Sequence, residues 1–326
     1  MDPTLTVVDI ETADTPPDRS DEFRGLVVGV IESGRVPTSA AAQAWIEQAS
    51  LTVTSGPASD RRIVHVDSVA DTVAAIEERV SVNPVSAIVC DDVLRATVSD
   101  GGTRPGLTTE SLAYSTLQAG REFAQWLHDQ GPRVLHEQDD AVRLHRDGGE
   151  LEIAFNRPDR HNAFSNALRA GLIDGLRLAL ADDTITSVTF TGEGRSFCSG
   201  GDLREFGLLS NPADAHLART RYSPAILLDA LANRLGPALH ARVHGAVLGS
   251  GLEMAAFCPT VTAAADAIFG LPELGLGLIP GAGGTVSVPR RVGRWRTAYL
   301  VLSGAHIDTD TALAWGLIDG VEPSVA

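Results

Sequence analysis

Apolar runs alternate with helix-like stretches through the first 130 residues. Continuous apolar runs bounded by turn residues are typical of buried strands, and they occur at Gly25–Ile31, Arg62–Val66 and Val85–Cys90. Between them, apolar residues spaced by three and four predict helices. These helices are Thr38–Ala49, 69–80 and 109–129. The second follows a cap at Asp67 or Ser68, and the third lies between a cap at Thr108 and a stop at Gly131. Residues 1–22 are polar and rich in Pro and Asp, which predicts a loose lead-in.

The second half opens on a hairpin and continues with alternating helices and strands. Strands Val142–His145 and Glu150–Phe155 flank the turn 147–149. The pattern then predicts a helix at 165–180, a strand at 187–191, a helix at 224–235 and a strand at 241–244. This alternation predicts an α/β fold. The similar order within 69–129 suggests a degenerate internal duplication, against the alternative that any two βα segments look alike.

Composition excludes several classes of function. The length of 326 residues suggests about two domains, and the formal net charge of −16 argues against a general nucleic-acid binder. The sequence contains no Lys, which excludes a Schiff-base or P-loop lysine. Neither a secretory leader nor a membrane-spanning run is visible. Three scattered cysteines, Cys90, Cys198 and Cys258, do not form a disulfide or metal framework, so we expect a cytoplasmic protein with no metal site.

Two glycine-rich segments have the features of an oxyanion hole. Residues 249–253 lead into a short helix predicted at 252–258, and the first N–H groups of a helix have no intrahelical acceptor. Residues 197–202 have the same character, with Gly200-Gly201 before an acidic residue. Backbone donors from Gly201 and Ser250 would together hold the oxygen of a thioester enolate. The alternative for each segment alone is an ordinary turn in which Asp202 or Glu253 caps a helix.

Residues 269–296 combine a carboxylate in an apolar stretch with a basic cluster. Apolar surroundings raise the pKa of a carboxyl group such as Glu273 and let it act as an acid near neutral pH. Two carboxylates at one water, Glu253 and Glu273, divide base and acid roles. Residues 280–285 predict a tight turn that starts a helix. The arginines that follow predict a solvated face, with a phosphate or an acidic partner as alternatives, and they are Arg290, Arg291, Arg294 and Arg296.

Four motifs in order make residues 141–320 resemble the crotonase (enoyl-CoA hydratase/isomerase) superfamily. They are 155–163, 194–203, 243–254 and 269–285. The resemblance implies a ββα spiral that binds acyl-CoA and holds an enolate on the N–H groups of Gly201 and Ser250, although the family usually has Gly at the second position. It implies that Glu253 helps to activate the water that adds at Cβ and that Glu273 delivers the proton to Cα. It also implies substrate contacts at Arg160, Ala163, Ser199, Gly200, Asp202 and Gly249.

The resemblance divides the chain near residue 140. It implies a crotonase-like catalytic core at 141–326, preceded by an α/β extension at 1–140 that is a degenerate crotonase-like half if the duplication hypothesis holds. The helices with which the family usually continues are missing from this sequence. We therefore hypothesise that the extension, with its helix at 109–129, covers the site or an oligomer face, or that a partner chain does so.

The implied function is that of an enoyl-CoA hydratase, a lyase of fatty-acid metabolism and β-oxidation. The presence of both glutamates favours it, because family members that isomerise double bonds generally need only the later one. The alternatives are an enoyl-CoA isomerase or other enolate chemistry and, in another class, a non-catalytic acyl-CoA-binding or assembly subunit. The resemblance implies a homo-oligomer, a trimer or hexamer, and no cofactor besides the coenzyme A of the substrate.

Overall fold

Two sheets, both built mainly from parallel strands in sequence order, organise the chain. The structure is a computed structural model that describes residues 4–17, 25–98, 102–131, 140–209 and 211–322. The first sheet has the order β1-β2-β3-β4, with strands Leu5–Asp9 (β1), Leu26–Ile31 (β2), Leu51–Thr54 (β3) and Ile63–His65 (β4). Five helices accompany it: Ala40–Gln48 (α1), Val69–Val82 (α2), Pro84–Val98 (α3), Thr103–Gln118 (α4) and Arg121–Gln130 (α5).

The second sheet forms the core of the other half. Its order is β12-β10-β8-β7-β6-β5, and only the β5–β6 hairpin is antiparallel. The strands are Val142–Asp147 (β5), Glu150–Phe155 (β6), Ser187–Gly192 (β7), Leu239–Val243 (β8), Thr260–Ala264 (β10) and Gly320–Glu322 (β12). Ala246–Leu248 (β9) and Ile268–Gly270 (β11) pair separately. The helices are Asn166–Ala181 (α6), Pro212–Arg221 (α7), Pro224–Leu235 (α8), Ser250–Ala255 (α9), Gly284–Val292 (α10), Arg294–Ser303 (α11) and Thr309–Trp315 (α12).

Many predicted elements are confirmed, together with their local causes. All six residues of β2 are buried, as expected for an apolar run. Ser68 caps α2 and Ser165 caps α6, each accepting a backbone N–H three residues later. All three cysteines are buried and free. None of the helices within the described ranges combines the length and apolar character that crossing a bilayer requires.

The predicted strand Val85–Cys90 is wrong, because these residues lie in α3. Pro84 occupies the first helical position, where its missing N–H is not needed. Ala87, Cys90 and Leu94 are buried at helical spacing, and a short apolar run alone cannot distinguish a strand from a buried helix. The alignment behind the duplication hypothesis required a strand at this position, and it fails because these residues form a helix. Both large sheets nevertheless keep their parallel strands in sequence order.

Two helix boundaries also differ from the prediction. Thr108 is not a cap but lies inside α4, where its hydroxyl donates to the Arg104 carbonyl at 2.9 Å. The predicted helix at 109–129 is two helices, because the helix is interrupted before Gly120, which is the N-cap of α5. The helix expected at 252–258 begins earlier, at Ser250, and ends at Ala255.

The extension packs directly onto the core. One hydrophobic cluster contains residues from Leu26 to Ile318 and draws on both sides of the predicted boundary near residue 140. Helices α3 and α4 pack against α10, and α2 and α3 pack against α11. The described parts of the two halves therefore share one core.

The basic cluster after Pro289 is only in part the solvated face that was predicted: Arg290 is exposed, whereas Arg294 and Arg296 are buried. Arg294 and Arg296 are 7% and 5% exposed. Arg294 Nη1 donates to the Ala49 carbonyl at the end of α1, 3.0 Å away, and Arg291 donates to the carbonyls of Cys258 and Leu317. The Arg294 guanidinium can be buried because its several N–H donors satisfy carbonyl groups at the end of a neighbouring helix.

The extension also contacts the turn that carries Glu273. Asn83, the C-cap of α2, donates its side-chain N–H to the Leu274 carbonyl at 2.8 Å. Gly277 closes the turn with φ +69°, and a Cβ at this position would lie 2.7 Å from the Glu122 carbonyl carbon and the Phe123 nitrogen of α5. Only glycine allows both this backbone conformation and this contact.

We expect Gly277→Ala to destabilise the protein more than a matched control. Gly316→Ala, at φ +76° with no atom within 4 Å of the new Cβ, should cost only the left-handed conformation, about 1 kcal/mol of unfolding free energy. Gly277→Ala should cost roughly 1–3 kcal/mol more, because backbone atoms of α5 block the new methyl group. Equal losses for the two variants in urea unfolding would contradict the packing of α5 on this turn.

Candidate active site

One cavity brings together the predicted carboxylates and the predicted oxyanion donors. Gly201, Ser250, Glu253 and Glu273 all line it, and its volume is about 190 Å³. This is below the roughly 300–1,000 Å³ of sites that enclose a drug-sized ligand. The cavity therefore suits the reacting end of a ligand better than a whole acyl-CoA.

Two short backbone ladders place the donors side by side. Cys198 pairs with Val247 in a parallel bridge, and Phe164 pairs with Gly201. Phe164 exchanges hydrogen bonds with the Gly200 carbonyl and the Asp202 N–H, which leaves the Gly201 N–H out of the ladder. Ser250 is the first residue of α9. Within the described residues, neither the Gly201 N–H nor the Ser250 N–H has an acceptor, so both are available to an oxyanion.

Glu253 is held at a fixed position by the turn before α10. Its Oε2 accepts the N–H of Ala282 at 2.7 Å and the N–H of Gly284 at 2.8 Å. Burial raises the pKa of this carboxyl well above its usual range, and the negative charges of Glu273 and Glu110 raise it further, while the two N–H donors lower it in part. Glu253 is thus a buried, oriented carboxyl group.

Glu273 begins a 3-10 turn at Glu273–Leu276 and is less constrained by hydrogen bonds. Its Oε1 lies against Gly249, since a Cβ added there would be 2.5 Å from this oxygen. Its Oε2 is buried with no hydrogen-bond partner among the described residues. Burial raises the pKa of Glu273 to about 8, in the direction expected for a carboxyl group in apolar surroundings. At neutral pH this group carries a proton that it can donate.

Asp202 lines the cavity but is occupied by two arginines. Arg157 Nη2 lies 2.9 Å and Arg204 Nη2 2.7 Å from Asp202 Oδ2. Burial acts to raise the pKa of Asp202, but the hydrogen bonds from Arg204 and Arg157 outweigh it and lower the pKa to about 2. Asp202 therefore stays ionised and anchors the loop that carries Gly201.

Five residues predicted as substrate contacts lie outside the cavity wall, and they are Arg160, Ala163, Ser199, Gly200 and Gly249. Arg160 is exposed, in a 3-10 turn at Pro158–Arg160. Ser199 and Gly249 donate their N–H groups to the carbonyls of His161 and Gly270. These residues support the backbone around the cavity, and their contact with coenzyme A stays a prediction.

The extension contributes to the cavity wall, which confirms that its helical part reaches the site. Tyr114 and Gln118 of α4 line the cavity together with Arg219 of α7. The Arg219 guanidinium lies 4.3 Å above the centre of the Tyr114 ring, and its Nη2 donates to Gln118 Oε1 at 2.9 Å. These residues were not predicted. One feature of the sequence could have pointed to this part of the site: Glu110 is an acidic residue on the same helical face as the apolar residues Ala113 and Leu117.

The comparison with protein families agrees with this geometry. The model of the enoyl-CoA hydratase/isomerase family matches residues 146–326. The chain belongs to this family, which is part of the crotonase superfamily. The residues before 146, including those of α4, lie outside the match.

Curated relatives of the chain include both hydratases and an isomerase. It is 39% identical over 174 residues to the 2,3-dehydroadipyl-CoA hydratase of Escherichia coli (53% of this chain, 66% of the relative). It is 39% identical over 162 residues to a probable enoyl-CoA hydratase of Bacillus subtilis (48% and 62%). The 1,2-epoxyphenylacetyl-CoA isomerase of Escherichia coli is 37% identical over 180 residues (54% and 68%). The chain thus spans about two thirds of the length of these relatives.

Solved structures support the same fold. An enoyl-CoA hydratase/carnithine racemase from Magnetospirillum magneticum superposes with a TM-score of 0.51 at 27% identity, covering 59% of this chain and 72% of that chain. An enoyl-CoA hydratase from Mycobacterium smegmatis gives a TM-score of 0.50 at 27% identity, covering 57% and 71%. Each likeness covers somewhat more than half of this chain.

We expect Asp202→Asn to be strongly destabilising, because it leaves two guanidinium groups without their carboxylate. Breaking a buried ion pair costs about 3–5 kcal/mol. Asp229→Asn is the control, since Asp229 pairs at 2.8 Å with a more exposed arginine, Arg290, and should cost about 1 kcal/mol or less. Denaturant unfolding measures both, and a loss for Asp202→Asn no larger than for the control would show that Asp202 does not anchor the loop.

Proposed function

We propose that this chain catalyses the reversible addition of water to the double bond of a 2-enoyl-CoA thioester. The observation that carries the proposal is that one cavity is lined by two buried carboxyl groups and by two backbone N–H groups that have no acceptor in the part of the chain that the structure describes. A thioester enolate needs donors for its oxygen, and hydration needs a base and an acid. The hydratases among the relatives support the same assignment.

Each group has a defined task in the proposed reaction. The Gly201 and Ser250 N–H groups bind the thioester oxygen and stabilise the negative charge that it gains. Glu253, whose carboxylate form is stabilised by the N–H groups of Ala282 and Gly284, takes a proton from water as the oxygen of that water bonds to Cβ. Glu273, protonated at neutral pH, delivers its proton to Cα. The product is a 3-hydroxyacyl-CoA, and the return of a proton from Glu253 to Glu273 completes the cycle.

Double-bond isomerisation is the second candidate, and the unequal hydrogen bonding of the two carboxyl groups favours it. Glu253 Oε2 already accepts two N–H groups, whereas Glu273 Oε2 has no partner among the described residues. A single mobile proton carrier is sufficient to move a proton between Cα and Cγ of an enoyl thioester. The similarity to a relative named as an isomerase is consistent with this alternative.

Glu253→Gln and Glu273→Gln distinguish these reactions. If the chain is a hydratase, each variant should lose hydration activity by about 10²–10⁴-fold, because each removes a proton-transfer group. If it is an isomerase, only Glu273→Gln should lose activity on 3-enoyl-CoA. Thioester absorbance assays on 2-enoyl and 3-enoyl substrates measure both reactions, with acyl-CoA affinity as the control for folding. Binding without turnover in the wild type would favour a non-catalytic subunit.

The pH profile offers an independent check. Because Glu273 must be protonated to act as the acid and its pKa is about 8, kcat/KM for hydration should fall as the pH rises through about 8. Buffers of constant ionic strength between pH 6 and 9.5 cover this range. A rate that stays level to pH 9.5 would exclude Glu273 as the proton donor.

A further inference from the structure

Glu110 is a buried carboxyl group of the extension that the proposed reaction does not use. It is 3% exposed. Its Oε1 accepts the N–H of Gly283 at 2.8 Å, and its Oε2 accepts the N–H and the hydroxyl of Thr285 at 3.0 and 2.8 Å. It lies outside the residues matched by the family model, so the family motifs assign it no role.

Glu110 and Glu253 share one turn. Four consecutive N–H groups alternate between them: those of Ala282 and Gly284 go to Glu253, and those of Gly283 and Thr285 go to Glu110. The turn is also closely enclosed, because a Cβ at Gly284 would lie 2.5 Å from Cγ of Glu253. Displacement of one carboxylate would therefore displace the donors of the other.

The same helix closes the other side of this turn. A Cβ at Gly281 would lie 2.4 Å from the ring of Tyr114, which is one turn after Glu110 in α4. Thr97 of α3 donates its hydroxyl to the Thr285 carbonyl at 3.0 Å. The extension thus fixes the turn by hydrogen bonds and by packing.

We propose that Glu110 is a positioning residue for the proposed proton-transfer site: it holds the turn that orients Glu253 and brings a third buried carboxyl group to that site. The proposal rests on the proposed function for the roles of Glu253 and Glu273. It assigns to the extension a part in the chemistry of the site, beyond covering it.

The electrostatics of the cluster agree with this role. Burial raises the pKa of Glu110 to about 7, although its donors from Thr285 and Gly283 and the charge of Arg219 lower it in part. The negative charge of Glu110 raises the pKa of Glu273 and of Glu253.

Other charged and titratable groups lie on α4 and on the elements packed around it. The charge of Arg219 on α7 lowers the pKa of Glu110, and its guanidinium is held by Ser115 and Gln118. Further groups on these elements include Cys90 on α3, Tyr114 on α4, Glu122 on α5, His216 on α7, Asp229 on α8 and its ion-pair partner Arg290 on α10.

Glu110→Gln tests the role of the charge. The alkaline limb of the kcat/KM profile should move to lower pH by about one unit, because removal of a nearby like charge favours ionisation of Glu273. Glu110→Asp keeps the charge and should return the limb toward its wild-type position. An alkaline limb that stays in place in Glu110→Gln would overturn the proposal.

Ser111→Ala is the matched control for a purely structural role. Ser111 is the next residue of α4, buried, and its hydroxyl lies 2.9 Å from His216 Nδ1 of α7. This variant should lower the stability of the α4–α7 contact and leave the pH profile unchanged. A shift in Ser111→Ala equal to that in Glu110→Gln would show that loosened packing, and not charge, moves the limb.

A titration of the full-length wild type needs neither activity nor a stable variant. The carboxyl carbons of ¹³C-labelled glutamate report ionisation, and the signals of Glu273 and Glu253 are assigned by their loss in the Gln variants. Coupled groups titrate with more than one inflection, so the Glu273 signal should show a second inflection near pH 7, where Glu110 ionises. A single-site curve would refute the proposed coupling. If no enoyl-CoA is turned over, the proposed function fails, but this titration still tests the coupling.

Discussion

Four consecutive N–H groups, from Ala282 to Thr285, are the donors on which the site depends. Two buried carboxyl groups are costly unless hydrogen bonds compensate for lost solvation, and this turn provides donors to both Glu253 and Glu110. Neither glutamate can be placed independently of the other. Since Glu110 lies in α4 and Glu253 in α9, the geometry of the site depends on contact between the two halves of the chain.

The carboxyl groups of Glu253 and Glu273 lie in unequal environments. Glu253 is held on one oxygen by two backbone donors, whereas Glu273 has a buried oxygen without a partner in the described part of the chain. Two carboxyl groups in different environments can take different roles in acid–base chemistry. The extension reaches both groups, through α4 at the turn beside Glu253 and through α2 and α5 at the turn that begins with Glu273.

The residues at the centre of the site could be predicted because they lie in short, local motifs. Gly201, Ser250, Glu253 and Glu273 are each marked by glycines or by an isolated acidic residue, and the structure places them in one cavity. The extension was harder to predict, because its contribution is tertiary. An apolar run such as Val85–Cys90 has no period that separates a strand from a buried helix. The role of Glu110 depends on donors more than 170 positions away in the sequence, and the burial of Arg294 depends on carbonyl groups at the end of α1.

Spectroscopy of a bound 3-ketoacyl-CoA reports whether the Gly201 and Ser250 N–H groups stabilise an enolate. Such a thioester ionises to an enolate that absorbs in the near ultraviolet, so titration with the full-length protein at constant pH reports the enolate fraction of the bound ligand. We expect a larger enolate fraction in the bound than in the free ligand, because the two N–H groups donate to its oxygen. Binding with an unchanged enolate fraction would contradict it.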